Sequence, residues 1–126
     1  MKKEEVIVQL QVLQEQVKYL RNQIQQCETQ QEELTKTYDA LDQLRDVKEG
    51  TEIKVPLAGG IFISATLNKV DPVLVNVGAN VSVKKSIDDT HALIKEQQKE
   101  LEGLKKQLMT EHDKMIDHFN ELKTKV

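Results

Sequence analysis

From Val6 to Leu41 the chain repeats an interval of four residues and then three, through Val6, Leu10, Leu13, Val17, Leu20, Ile24, Cys27, Gln31, Leu34, Tyr38 and Leu41. Only Gln31 breaks the apolar character of that series. A period of 3.5 residues sustained over five heptads keeps one narrow stripe in line along a slightly underwound helix, and such a stripe needs a second helix to cover it. A helix lying on a globular core carries a wider apolar face. The pattern therefore predicts a coiled coil. Aromatic residues make up only 3% of the chain and tryptophan is absent, which leaves too little bulk for a large globular core beside it.

Glycine and proline are absent until Gly50, and four of the five glycines and both prolines fall between Gly50 and Gly78. This punctuation divides the chain into a coiled-coil helix over 1–49, a central segment over 50–85 and a second coiled-coil helix over 86–126, together one domain. Gly50 stands where a helix C′ residue belongs. Ser86, followed three residues later by Asp89, resembles a capping box, and Asp88 adds negative charge at the positive end of the helix dipole. Beyond it Ile87, Ile94, Leu101, Leu108, Met115 and Leu122 recur every seven residues. The other seam position passes irregularly through His91, Gln98, Leu104, Glu111 or His112, Phe119 and Val126, so the second helix has the weaker seam.

In the middle the period falls to two. Ile53, Val55 and Leu57 alternate with Glu52, Lys54 and Pro56, and Ile61, Ile63, Ala65 and Leu67 alternate with Phe62, Ser64 and Thr66. Gly59-Gly60 supplies the turn between these two strands. Asp71-Pro72 starts a new segment in which Val73, Val75 and Val77, then Val81 and Val83, flank Gly78-Ala79-Asn80. Two hairpins are predicted, each with an apolar face that the rest of the chain is too small to cover. The fold class is α+β, mainly α: a long antiparallel coiled-coil hairpin whose two helices are joined by two central β-hairpins. The strands need other subunits to complete them.

Antiparallel helices bring the two termini together, and apolar excess collects there. Ile7, Val8 and Val12 lie off the stripe set by Val6, Leu10 and Leu13, and at the other terminus Ile116 is off the seam beside Met115 and Phe119. Such an excess reads either as an adaptable surface for exposed apolar segments of other proteins or as the ordinary end of a coiled coil.

Chemistry finds little foothold. His112 and His118 are six residues apart and so on different faces of a helix, which is the wrong spacing for two metal ligands. Cys27, the single cysteine, occupies a seam position, where a thiol behaves as a small apolar side chain; it permits no intrachain disulfide and suits a reducing compartment. No phosphate-binding loop, nucleophile elbow or zinc spacing is present, so no catalytic residue, metal or cofactor is expected. Charged residues reach 31% with 18 basic against 21 acidic, mixed along the chain without a basic block, which argues against nucleic acid as partner. Glu4, Glu5 and Gln9 interrupt what would otherwise be a leader, and no apolar run approaches membrane-spanning length. A cytoplasmic protein with no membrane partner is expected.

The order helix, two hairpins, helix, with Gly50-Thr-Glu-Ile-Lys-Val-Pro-Leu57 and Val75-Asn-Val-Gly-Ala-Asn-Val-Ser-Val83 in its centre, resembles the alpha class of prefoldin subunits over nearly the whole chain. The beta class of that family carries one hairpin where this chain has two. The resemblance implies a hexamer of two alpha and four beta subunits, in which a second alpha subunit and the beta subunits join their strands into a β-barrel body. It implies a holdase chaperone, independent of ATP, that captures unfolded proteins and passes them to a group II chaperonin. By position, Ile53, Val55, Ile61, Ile63, Val73, Val75, Val81 and Val83 would serve assembly, and Val6, Ile7, Val8, Val12, Met115, Ile116 and Phe119 at the coiled-coil tip would face clients. The alternative is a coiled-coil spacer or filament-forming subunit that assembles through the same strands without capturing clients.

Overall fold

The computed structural model describes residues 2–126. Its elements run α1 (Lys3–Leu44), β1 (Glu52–Ala58), β2 (Ile61–Thr66), β3 (Val73–Gly78), β4 (Val81–Lys85) and α2 (Ile87–Lys123). The contacts divide the chain into two compact units, Met1–Leu34 with Gln97–Val126, and Thr35–Glu96.

The period-3.5 stripe is the buried face of α1. Every one of its eleven members is buried or half-buried, and elsewhere on the helix only Gln23 and Leu44 are less than exposed. In the first unit Val6, Leu13 and Leu122 form the buried centre, with Leu10 and Phe119 packed against it. Val17, Leu20 and Cys27 continue the buried line. Each side chain of this kind contributes about 1.5–3 kcal/mol by leaving water, which together outweighs the weak helical preference of the valines.

Polar pairs show the direction of packing. In the first unit Arg21 contacts His112, Glu28 contacts Lys105, and Gln31 contacts Glu102, so each advance along α1 is matched by an equal retreat along α2. In the second unit Asp42 meets His91 and Arg45 meets Asp88, with the same antiparallel sense.

One seam of α2 follows the expected residues, with Ile87, Ile94 and Leu122 buried and Leu101, Leu108 and Met115 half-buried. The other departs from expectation. It runs at strict seven-residue spacing through His91, Gln98, Lys105, His112 and Phe119, while Leu104 is 46% exposed and Glu111 and Val126 are exposed. Lys105 holds the position because its long aliphatic stem covers apolar surface while its Nζ lies 3.5 Å from Glu28 Oε1. His112 takes the next position because both of its ring nitrogens find partners there, Arg21 and Asp113.

α1 ends at Leu44, short of the expected 49, because the chain tightens there. The amides of Asp46 and Val47 donate to the carbonyls of Gln43 and Leu44, three residues back. Gly50 is not the helix C′ residue. Its φ of +85° serves a turn that leads into β1, and its amide donates to the Leu67 carbonyl at 2.7 Å, extending the first hairpin. At the start of α2 the Ser86 Oγ accepts the Asp89 amide at 3.0 Å, and the Ile87 amide donates to Asp71 Oδ1 at 3.3 Å.

The two hairpins are separate two-stranded antiparallel sheets. In the first, Ile53 faces Ala65 and Val55 faces Ile63; in the second, Val75 faces Val83 and Val73 faces Lys85. They share one construction. Each turn has two central residues at positive φ, Gly59 and Gly60 in one and Ala79 and Asn80 in the other, the backbone of a type I′ turn. Just before each turn the first strand bulges, at Leu57 and at Val77.

Candidate interaction surfaces

The terminal end of the first unit places some of the anticipated residues in the core and others in solvent. Val6 is only 2% exposed and belongs to the packed centre, so its side chain is not part of any surface. A valine at a seam position faces the partner helix whatever its distance from the terminus. Ile7, Val8 and Val12 point away from that seam and are 41%, 58% and 51% exposed. Met115, Ile116 and Phe119 are half-buried. Ile116 and Phe119 line a groove of about 180 Å³ with Gln14, Val17 and Arg21, so Ile116 borders α1 and is not a stray apolar residue. The surface at this end is therefore a strip of β-branched side chains on α1, flanked by partly covered groups of α2. Tyr19, 63% exposed, extends it by two turns in the same direction.

In the second unit the hairpins lie almost bare. Ile53, Val55, Ile61, Ile63, Val81 and Val83 are exposed, and Val73 and Val75 are half-buried. A two-stranded sheet also leaves each strand with one unpaired edge of amides and carbonyls. The alternating pattern assigned one apolar face per hairpin, but Phe62 and Leu74, both exposed, belong to the opposite faces. The signal for them was in plain view, since each interrupts the polar half of the alternation.

Polar side chains on the buried faces are all provided for: among the described residues no buried side-chain nitrogen or oxygen lacks a hydrogen-bond partner. His91 is the most elaborate case. It is buried, stacks on Tyr38 with ring centroids 4.2 Å apart, donates from Nε2 to the Tyr38 carbonyl at 3.1 Å, and accepts at Nδ1 from Arg45 at 3.0 Å. Lys95 Nζ lies 5.7 Å from the Tyr38 ring centroid, and Arg45 also pairs with Asp88. Cys27 is a buried free thiol. Among the described residues no three His, Cys, Asp or Glu side chains are placed to hold a metal ion, and no helix is long and apolar enough to cross a membrane. What the chain offers is apolar surface and open strand edges, which suits binding.

Comparison with known proteins points the same way. The family model of the prefoldin subunit matches residues 13–126. Prefoldin subunit alpha of Thermofilum pendens is 26% identical over 107 residues, covering 85% of this chain and 83% of that protein. Prefoldin subunit 5 of Homo sapiens is 28% identical over 104 residues, covering 79% and 68%. In fold, the chain is similar to a cryo-EM structure of filamentous PFD from Methanocaldococcus jannaschii, with a TM-score of 0.80 at 20% sequence identity over 93% of this chain and 97% of that one.

Proposed function

The chain belongs to the prefoldin family, as a subunit of its alpha class, and from that premise we propose that it is an ATP-independent holdase that captures unfolded proteins at its coiled-coil end and passes them to a group II chaperonin. Membership makes it a chaperone-type subunit and not an enzyme, and prefoldin subunits form oligomeric complexes with one another. The finer reading rests on one observation: Ile7, Val8 and Val12 remain 41–58% exposed while the seam beside them is closed. Apolar side chains held open on a helix end can bind stretches of unfolded chain of varied sequence, because burial of apolar area does not depend on direction. Single contacts of this size are weak. Several such ends in one assembly raise the effective concentration, so that a client held by one is recaptured by the next.

Assembly is the second part of the proposal. The exposed Ile53, Val55, Ile61, Ile63, Val81 and Val83, with Val73 and Val75, would be covered by strands of beta-class subunits and of a second alpha subunit, in a hexamer of two alpha and four beta chains. The reading places the protein in the cytoplasm, with neither nucleic acid nor membrane as partner.

Replacing Ile7, Val8 and Val12 together by serine tests the capture site. The expected outcome is an assembly of unchanged mass whose suppression of client aggregation, followed by light scattering, is weaker than that of the parent. Full suppression by an assembled triple variant would remove this end from the mechanism.

The filament of the structural relative supports a second reading, in which the same strands join copies of this chain into a polymer without client capture. Native mass measurement of the chain alone and mixed with a beta-class subunit separates the two. A hexamer only in the mixture supports the first reading, and long homopolymers that lack holdase activity support the second.

A further inference from the structure

Two histidines of α2, His91 and His112, occupy the same seam position three heptads apart, and each is met by an arginine, Arg45 in the turn that follows α1 and Arg21 on α1. His91 lies in the second unit. Its Nδ1 accepts from Arg45 Nη2 at 3.0 Å while its Nε2 donates to the Tyr38 carbonyl at 3.1 Å. His112 lies in the first unit with the nitrogens exchanged: Nε2 accepts from Arg21 Nε at 3.2 Å and Nδ1 donates to Asp113 Oδ1 at 3.2 Å. A guanidinium can only donate, so the nitrogen it meets must carry a lone pair, and each ring is bound as the neutral imidazole. The partners fix opposite tautomers, N–H on Nε2 in His91 and N–H on Nδ1 in His112.

We propose that these two rings are acid-release clasps between α1 and α2, closed while the imidazole is neutral and opened when it takes a second proton. Charging the ring converts its only acceptor into a donor that faces an arginine, so the hydrogen bond cannot survive in any tautomer. Charges around His91 are Asp42 on α1, 3.7 Å from Nε2, Arg45 in the turn that follows α1, and Asp88 and Lys95 on α2, with the Tyr38 phenol ring stacked on the imidazole. Of these, Arg45 and Asp42 are the ones that meet the ring nitrogens, and the Arg45 bond is the one that a charged ring cannot keep. Around His112 the groups are Arg21 and Glu28 on α1 and Asp113 on α2. His118, exposed on α2, provides an internal control. Histidine is the side chain whose unperturbed charge change falls between about pH 5 and 8. When the His91 clasp opens, Arg45 remains on Asp88, and the turn that follows α1 loses its bond to the ring.

Nitrogen-15 spectra of the imidazoles in the full chain, in the assembly it forms, test the geometry first. At pH 8 His91 should show the Nε2–H tautomer and His112 the Nδ1–H tautomer. As the pH is lowered until the same spectra show the His91 ring charged, amide protection of Asp42 and Leu44, corrected for the intrinsic exchange rate, should fall about tenfold, the loss expected for one hydrogen bond. H91Q keeps a donor for the Tyr38 carbonyl and cannot titrate, so its protection should stay level over the same range. Three results overturn the proposal: the opposite tautomer at either ring, unchanged protection once the His91 ring is charged, or a tenfold fall that persists in H91Q. Should H91Q fail to fold, the tautomer and the wild-type titration decide the matter alone.

Discussion

Leu122 and Leu104 are the same residue on the same helix, and only one of them is inside. Leu122 is 4% exposed and packs with Val6 and Leu13, whereas Leu104 is 46% exposed beside a seam that passes through Lys105. Truncating a buried leucine to alanine removes its transfer free energy and leaves a cavity, and costs 2–5 kcal/mol in well-packed cores. The pair of helices is thin and open on two sides, so a partial collapse around position 122 is easy, and we expect about 3 kcal/mol for Leu122→Ala. Leu104→Ala loses little contact and gains slightly in helical preference, and should fall within about 0.5 kcal/mol of the parent. In urea, with a slope of about 1.5 kcal/mol per molar, this means a midpoint about 2 M lower for Leu122→Ala and almost unmoved for Leu104→Ala. Far-UV circular dichroism at one fixed protein concentration is the assay, because subunit association also contributes to stability. Equal shifts for the two variants would refute the reasoning, since they would mean that Leu104 packs in the seam and Lys105 does not.

Two smaller predictions concern chain geometry. Ser86→Ala removes the oxygen that accepts the Asp89 amide and should cost about 1 kcal/mol, read from the same urea curves, with Ser86→Asp restoring most of it. Ala79 has a φ of +49°, which burdens a side chain with a Cβ, so Ala79→Gly should raise the thermal midpoint or leave it unchanged, and a lowered midpoint would contradict the turn assignment.

Much of this architecture was legible because its strongest determinant is periodic. The eleven positions from Val6 to Leu41 announce a buried stripe, and all eleven are covered. The hairpins were legible for the same reason, with period two and Gly59-Gly60 marking the turn. Harder to read was the second seam of α2, because a period of 3.5 is marked by apolar residues and that seam carries histidine, glutamine and lysine. Leu104 attracted the assignment by its hydrophobicity, although the spacing of His91, Gln98, His112 and Phe119 already required position 105. The end of α1 was hidden for a different reason. Leu44 to Glu49 contains no glycine or proline, and the helix is stopped by tightened turns that composition does not reveal. At the terminal end, pattern alone separated Ile7, Val8 and Val12 from the seam, yet grouped them with Val6, whose depth only the packing of Leu13 and Leu122 discloses.

The polar pairs of the first unit have one more consequence. An antiparallel pair of heptad helices can slide by seven residues and still match leucine to leucine, so the apolar stripe permits several alignments of nearly equal energy. Slipping one heptad in the direction that shortens α2 would set Arg21 opposite Lys105, two cations, and leave Glu28 opposite Gln98. The alignment seen here instead gives Lys105 to Glu28 and Glu102 to Gln31. A slip of one heptad in either direction takes Lys105 away from Glu28 and Glu102 away from Gln31: the apolar residues tell the helices to pair, and the polar ones tell them where.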